Sequence, residues 1–305
     1  MIVVAGESLI DLILGADGGV EAIPGGGPYN VARTLGRLGQ AVAFLGRLST
    51  DRFGSILRAG LAAENVVLDL APATDAPTLL AVVELDGGGA ARYRFYVDGT
   101  AAPGLSAADL PAALPPTTTA LHVGTLGLVF EPMAASIESL VAGVGADVLV
   151  VADPNCRPTA IVDEPAYRAR LGRILGRVDV VKVSVDDLAW LEPRAEPLDA
   201  AKRLMDQGPA AVLVTDGPRP VRLVTARDVT ELAVPAVRVV DTVGAGDAFG
   251  AGFLAAWTNA GRGRDDVRDE DALVAATRFA IEVGALTTTR AGAEPPMLAE
   301  LASVT

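Results

Sequence analysis

PGGGPYNVARTLGRLGQAVAFLGRLSTDRFG, Pro24 to Gly54, runs through a glycine-rich turn, a helical stretch, an apolar run and the start of a second helix. Within it Val31, Leu35 and Leu38 share one helix face over residues 31–38, and Gly39 stops the helix. Residues 41–45 are unbroken apolar chain, the pattern of a strand buried on both faces. A second amphipathic segment covers residues 52–63. Working outward, the same alternation recurs: residues 2–5, 120–123, 147–152, 178–183 and 211–214 read as buried strands, and residues 132–144, 166–177 and 200–207 as helices between them. Repeated strand–helix alternation predicts the α/β class, a three-layer αβα sandwich with a mostly parallel central sheet.

Two stretches break that rhythm. TLLAVVELDGGGAARYRFYV, residues 78–97, is two strands around a glycine-rich turn and predicts a hairpin. Residues 12–14 and 20–23 flank GADGG as a shorter one. Together they predict one domain, residues 1–305, with a small β-strand lid from segments 12–23 and 78–98. On the second lid strand, Tyr93, Phe95 and Val97 alternate with Arg92, Arg94 and Tyr96. The first face reads as packing, the second as facing substrate or water.

The totals narrow the function. The 305 residues are 50% hydrophobic and carry a net charge of −13, which argues against nucleic acid as a partner. The one cysteine, Cys156, rules out an internal disulfide, lacks an obvious redox partner and fits a reducing, cytoplasmic compartment. MIVVAGESLIDLI has no basic residues ahead of its apolar run and reads as a buried strand rather than a signal peptide; no run approaches a membrane span. His122, the only histidine, excludes a histidine-based triad and a two-histidine metal site. It reads as a core residue, or as a contact to a ligand or loop.

Two glycine-rich stations remain. PGGGPYN reads either as a flexible lead into a helix or as bare backbone at Gly25 and Gly26 that a polar ligand approaches closely. Asn30 then offers both a donor and an acceptor. Asp11, after the first strand, lies near strand carboxyl ends, where open α/β sheets bind ligands. An acceptor-only carboxylate beside an amide suits the hydroxyls of a sugar. The second station, DTVGAGDAFG (Asp241 to Gly250), lacks the dinucleotide spacing, and neither Lys182 nor Lys202 follows a glycine as a P-loop requires. It reads either as a plain helix start with Asp247 in its first turn or as a phosphoryl-transfer site. In the second case Gly244, Ala245 and Gly246 form an anion hole, and Asp247 takes the proton from the attacking hydroxyl.

Together the stations resemble the ribokinase-like (PfkB-type) carbohydrate kinases over nearly the whole chain. GGGPYNVARTLGRLGQAVAFLGRLSTDRFG looks like that family's N-terminal signature and DTVGAGDAF like its C-terminal one. GESLID (Gly6 to Asp11) and DPNCRP (Asp153 to Pro158) are similar to its fructokinase and 2-keto-3-deoxygluconate kinase branch. The resemblance implies ATP-dependent phosphorylation of a sugar hydroxyl, with Asp247 as base and Asp11, Gly25, Gly26 and Asn30 holding the sugar. It puts Arg157 at a central strand end, where it contacts sugar or phosphate or forms a surface ion pair. It implies nucleotide contacts at Thr215, Gly217 and Ser184, and a monovalent cation such as K+ at Asp241. Where many members carry an Asn-x-x-Glu pair that organises Mg2+, this chain has Ser184 and Asp187. The shorter carboxylate implies a metal contact through water. The resemblance also implies a homodimer joined through the lids, which would cover the Tyr93/Phe95/Val97 face.

The expected function is therefore a sugar kinase acting on fructose. Within the class, 2-keto-3-deoxygluconate is the next substrate, then ribose or a nucleoside. A catalytically silent sugar- or nucleotide-binding module is the alternative from another class, and Asp247 argues against it. A nicotinamide-dependent dehydrogenase would need the missing N-terminal fingerprint.

Overall fold

The computed structural model describes residues 1–15, 18–85 and 91–301. The turn at residues 86–90 and two residues of the GADGG turn, 16 and 17, lie outside the described residues. The chain begins with β1 (Ile2–Ala5), the hairpin of β2 (Leu9–Leu14) and β3 (Val20–Gly25), α1 (Gly27–Arg37), β4 (Val42–Leu45) and β5 (Leu48–Ser49). It continues through α2 (Arg52–Ala63), β6 (Ala73–Thr74) and the hairpin of β7 (Leu80–Leu85) and β8 (Ala91–Tyr96). Alternating elements follow: β9 (Ala120–Gly124), α3 (Met133–Gly143), β10 (Leu149–Asp153), α4 (Glu164–Leu175), β11 (Val180–Ser184), α5 (Val185–Leu191), α6 (Pro197–Met205) and β12 (Ala211–Asp216). Last come β13 (Arg219–Thr225), β14 (Val229–Leu232), α7 (Ala245–Asn259), α8 (Glu270–Thr287) and α9 (Leu298–Leu301).

The main sheet runs β14-β13-β12-β11-β10-β9-β1-β4, parallel from β12 to β4. Successive side chains of a strand point to opposite faces, and β1 shows how both are covered. Ile2 and Val4 join a core with Leu35, Leu57, Phe253 and Leu273 from α1, α2, α7 and α8. Val3 and Ala5 join one with Ile137, Leu171, Leu188 and Leu204 from α3, α4, α5 and α6. These two cores are the interfaces of the predicted three layers.

Three details differ from the sequence reading. The helix expected at residues 31–38 begins at Gly27, because Pro28 suits the first helical turn, where its missing N–H costs nothing. The sheet also carries an antiparallel edge, β13 and β14, that the reading left out. Arg219, Arg222 and Glu231 interrupt these strands with charge, which an edge tolerates and an unbroken apolar pattern does not show.

The third concerns the lid. The two hairpins join as one four-stranded sheet, β3-β2-β7-β8, with β2 parallel to β7. Its Phe95 and Val97 pack against Leu9, Leu79, Ala81, Leu126 and Ala160 of the same chain. Phe95 and Val97 are therefore covered without a second subunit, while Tyr93 on the same face is 41% exposed and Arg94 and Tyr96 on the other face are exposed as well. Among the described residues, no helix is long and apolar enough to cross a membrane.

Candidate active site

The carboxyl ends of β1, β9, β10 and β11 face the amino ends of α1 and α7, and the two glycine stations meet there. Gly244 caps α7 with φ 74°, and a Cβ on it would fall 2.5 Å from that of Ala293. Only glycine fits this turn. One turn into α7, Asp247 Oδ2 accepts a 2.8 Å hydrogen bond from Asn30 Nδ2, on the first turn of α1. Residues 217 positions apart thus touch. Burial pushes the Asp247 carboxyl up to about 7; the Asn30 bond opposes the rise, as do the charges of Lys182 and Arg157. A carboxyl poised there suits a general base at neutral pH.

A cavity of about 320 Å³ opens beside this pair. Of the sequence-predicted residues, Asp11, Gly26, Asn30, Arg157, Gly244, Gly246 and Asp247 line it. Gly25 backs it, since a side chain there would meet Asp11 Oδ2 at 2.4 Å. Burial raises the Asp11 carboxyl to about 6, with the Arg157 charge opposing. Tyr93 and Phe95 of the lid form another wall. Ala245 departs from expectation. Its N–H is directed to the Thr242 carbonyl at 3.3 Å, so it completes the turn rather than the anion hole.

Sequence reasoning passed over two charged residues of this cavity. Lys182, on β11, makes a buried 2.9 Å ion pair with Asp153, at the end of β10. A Cβ on Gly246 would lie 2.7 Å from Lys182 Nζ, so the ammonium reaches the first turn of α7 and strengthens its pull on an anion. The signal was one lysine within the strand run VVKV, residues 180–183. Glu7, fully buried behind the glycine turn, is the other. His122 is buried in β9 and driven down to about 3 by burial and the Lys182 charge, so it stays neutral. Burial pushes the Cys156 thiol up to about 12, which makes it inert.

The remaining predicted residues lie outside this cavity. Ser184 and Thr215 are register partners at the ends of β11 and β12, and Gly217 turns the chain after them with φ 55°. Asp187 caps α5: Oδ2 accepts from the Ser184 N–H and hydroxyl at 2.8 and 2.6 Å, and Oδ1 from the Cys156 N–H at 2.7 Å. Asp241 accepts from the N–H groups of Val243 and Gly292. A larger groove of about 740 Å³ runs between β8 and the start of α4. The α4 N-terminus there is already capped by Asp163, so the groove lacks an open anion site.

Among the described residues no cluster of three or more acidic, histidine or cysteine side chains could hold a metal ion. The donor set nevertheless fits Mg2+ carried on nucleotide phosphates, which needs only one or two protein carboxylates. Asp153 Oδ1 is buried without a hydrogen-bond partner among the described residues, and Asp187, with both oxygens engaged, is left to act through water.

The model of the pfkB family of carbohydrate kinases matches residues 1–300. The chain is 36% identical to a fructokinase of Rhizobium leguminosarum bv. trifolii, over 84% of this chain and 79% of that protein. The crystal structure of fructokinase with bound ATP from Xylella fastidiosa superimposes with a TM-score of 0.92 at 31% identity, covering 99% of this chain and 97% of that one. Fructokinase from Vibrio cholerae O395, crystallised with fructose, ADP and a calcium ion, gives a TM-score of 0.86 at 29% identity, covering 99% and 97%.

Proposed function

Because this chain belongs to the pfkB family of carbohydrate kinases, we propose that the sugar it phosphorylates with ATP is fructose. The observation that carries the reading is the 2.8 Å contact between Asn30 and Asp247, which brings an amide and a buried carboxylate together at the cavity, within reach of a single hydroxyl. The fructokinase relatives support the choice of sugar. Asp11 and Asn30 hold the ring hydroxyls, and the acceptor hydroxyl lies against Asp247. The carboxylate takes its proton as the oxygen attacks the γ-phosphorus; the bond to the ADP oxygen breaks, and the proton ends on Asp247. The charge on the moving phosphoryl group is met by the open α7 N-terminus at Gly246 and by Lys182. Magnesium, held by the phosphates and by Asp153 and water at Asp187, would neutralise the nucleotide. Thr215, Gly217 and Ser184 would contact the nucleotide.

One observation favours a second substrate. Arg157 lines the cavity and, among the described residues, donates to the carbonyls of Asn155 and Cys156 and to no carboxylate. That leaves its charge available to a sugar carboxylate, as in 2-keto-3-deoxygluconate. An ADP-release assay over fructose, 2-keto-3-deoxygluconate, ribose and adenosine should give its highest kcat/KM with fructose. A higher value with another acceptor would replace it, and no turnover with any would sink the kinase reading. Excess chelator should abolish the activity, and K+ should raise it through Asp241; K+ insensitivity would remove only that cation.

The chain works as one kinase domain in a reducing, cytoplasmic setting, and the lid excludes water during transfer. A homodimer would form on the lid's outward face, where Tyr96 and Val20 are 54% and 62% exposed. Light scattering at micromolar concentration should give twice the chain mass, and Tyr96→Ser with Val20→Ser should halve it. A wild-type monomer would rule the dimer out.

A further inference from the structure

Two helices, α1 and α7, start at the same cavity, and each N-terminus carries a positive end able to bind an anion. Only one of them is open. On α7 the cap is Gly244, which supplies no side-chain hydrogen bond, and the Lys182 ammonium lies beside Gly246. On α1 the Gly27 N–H donates to Glu7 Oε1 at 3.1 Å, and Pro28 has no N–H to offer. Glu7 cannot swing away. Its Oε2 accepts from the Gly127 N–H at 2.8 Å, and its side chain is fully buried. Burial pushes the Glu7 carboxyl up to about 7 while the Gly127 and Gly27 N–H groups oppose the rise, so the carboxylate that both N–H groups hold is the main form at pH 8.

Resting on the sugar-kinase reading, we propose that Glu7 is the positioning and specificity residue that closes α1's N-terminus to anions. It reserves that station for uncharged hydroxyls and leaves α7 as the one place where a phosphoryl group is welcome. A dianion set against the start of α1 would meet the Glu7 carboxylate instead of a free Gly27 N–H, with Asp11 and Asp247 adding repulsion, while Arg157 and Lys182 of the same cavity attract an anion only to their own positions. A neutral hydroxyl is not repelled and still finds Asn30. The substrate class is therefore a sugar uncharged at the end that enters against α1, and the phosphate of the product cannot settle there and block the next turnover.

Sulfate tests this, because its charge stays constant across neutral pH. At pH 8, with ionic strength matched by sodium chloride and with whichever sugar the chain turns over, sodium sulfate should inhibit the wild type competitively against ATP and not against the sugar. Glu7→Gln should gain inhibition competitive against the sugar, and its sugar KM should rise roughly tenfold through the lost charge-assisted bond, with ATP KM little changed. Glu7→Asp keeps the charge and should keep sulfate out of the sugar station although its shorter reach raises the sugar KM. Competition between sulfate and sugar in the wild type or in Glu7→Asp overturns the proposal whether or not the glutamine variant folds. So does a Glu7→Gln enzyme with the wild-type inhibition pattern. Absence of turnover with every sugar overturns the kinase reading and this inference with it, whereas turnover with the wrong pattern overturns this inference alone.

Discussion

Asp247→Asn should lower kcat by about 10²–10⁴-fold while leaving the KM values for sugar and ATP within a small factor, the range expected for a lost general base. The replacement preserves size, and its amide oxygen can still accept the Asn30 hydrogen bond, so the cavity keeps its shape. The pH dependence follows from the same group. Burial raises its carboxyl from the ordinary 3.8 to about 7, and the base works only when deprotonated. Wild-type kcat should therefore fall on the acid side of about pH 7, and the variant should lose that dependence. Stability runs the other way. A carboxyl whose folded value is raised costs stability as pH climbs from its unfolded value through its folded one. The asparagine variant should thus melt no lower than wild type at pH 8. Near-normal turnover in Asp247→Asn would remove this residue from the mechanism.

Lys182→Met should have two separable effects. It leaves Asp153 buried beside an apolar side chain, and losing one partner of a buried ion pair costs on the order of 3–5 kcal/mol. It also removes the ammonium beside Gly246, and losing one such electrostatic contact to a developing anion lowers kcat by about 10²–10³-fold. Adding Asp153→Asn tells the two apart, with Asp153→Asn alone as the control because that residue is also the proposed magnesium ligand. The double variant removes the uncompensated charge, so its melting temperature should recover most of the loss while its kcat stays well below that of Asp153→Asn alone. Turnover that recovers along with stability would show that Lys182 only holds β10 and β11 together.

Much of the site was legible because glycine stations announce close backbone approach, and two of them on one chain limit what can lie between. The partnership of Asn30 with Asp247 was not legible as a contact, since helix α1 and helix α7 lie 217 residues apart at this pair and meet through the fold. Lys182 and Glu7 escaped for a related reason. Each is a lone charge in an apolar stretch, and its partners lie far along the chain: Asp153 is 29 residues from Lys182, and Gly27 and Gly127 are 20 and 120 residues from Glu7.

The lid shows the same division. Alternation along β8 separates Tyr93, Phe95 and Val97 from Arg94 and Tyr96, as period-two geometry requires. Which face would turn toward the cavity depended on Phe95 meeting Leu126 and Ala160, contacts made across the chain rather than along it. By itself, then, the sequence determined the strand–helix alternation, the parallel sheet with two covered faces, the two hairpins and the glycine-flanked Asp247. All of these are written in periodicity and backbone freedom over a few neighbouring residues. Tertiary structure decided which charges pair, which helix N-terminus stays open and which lid face closes the site. Those outcomes depend on distances between segments remote in the chain, and burial then sets their strength by removing the water that would otherwise screen them.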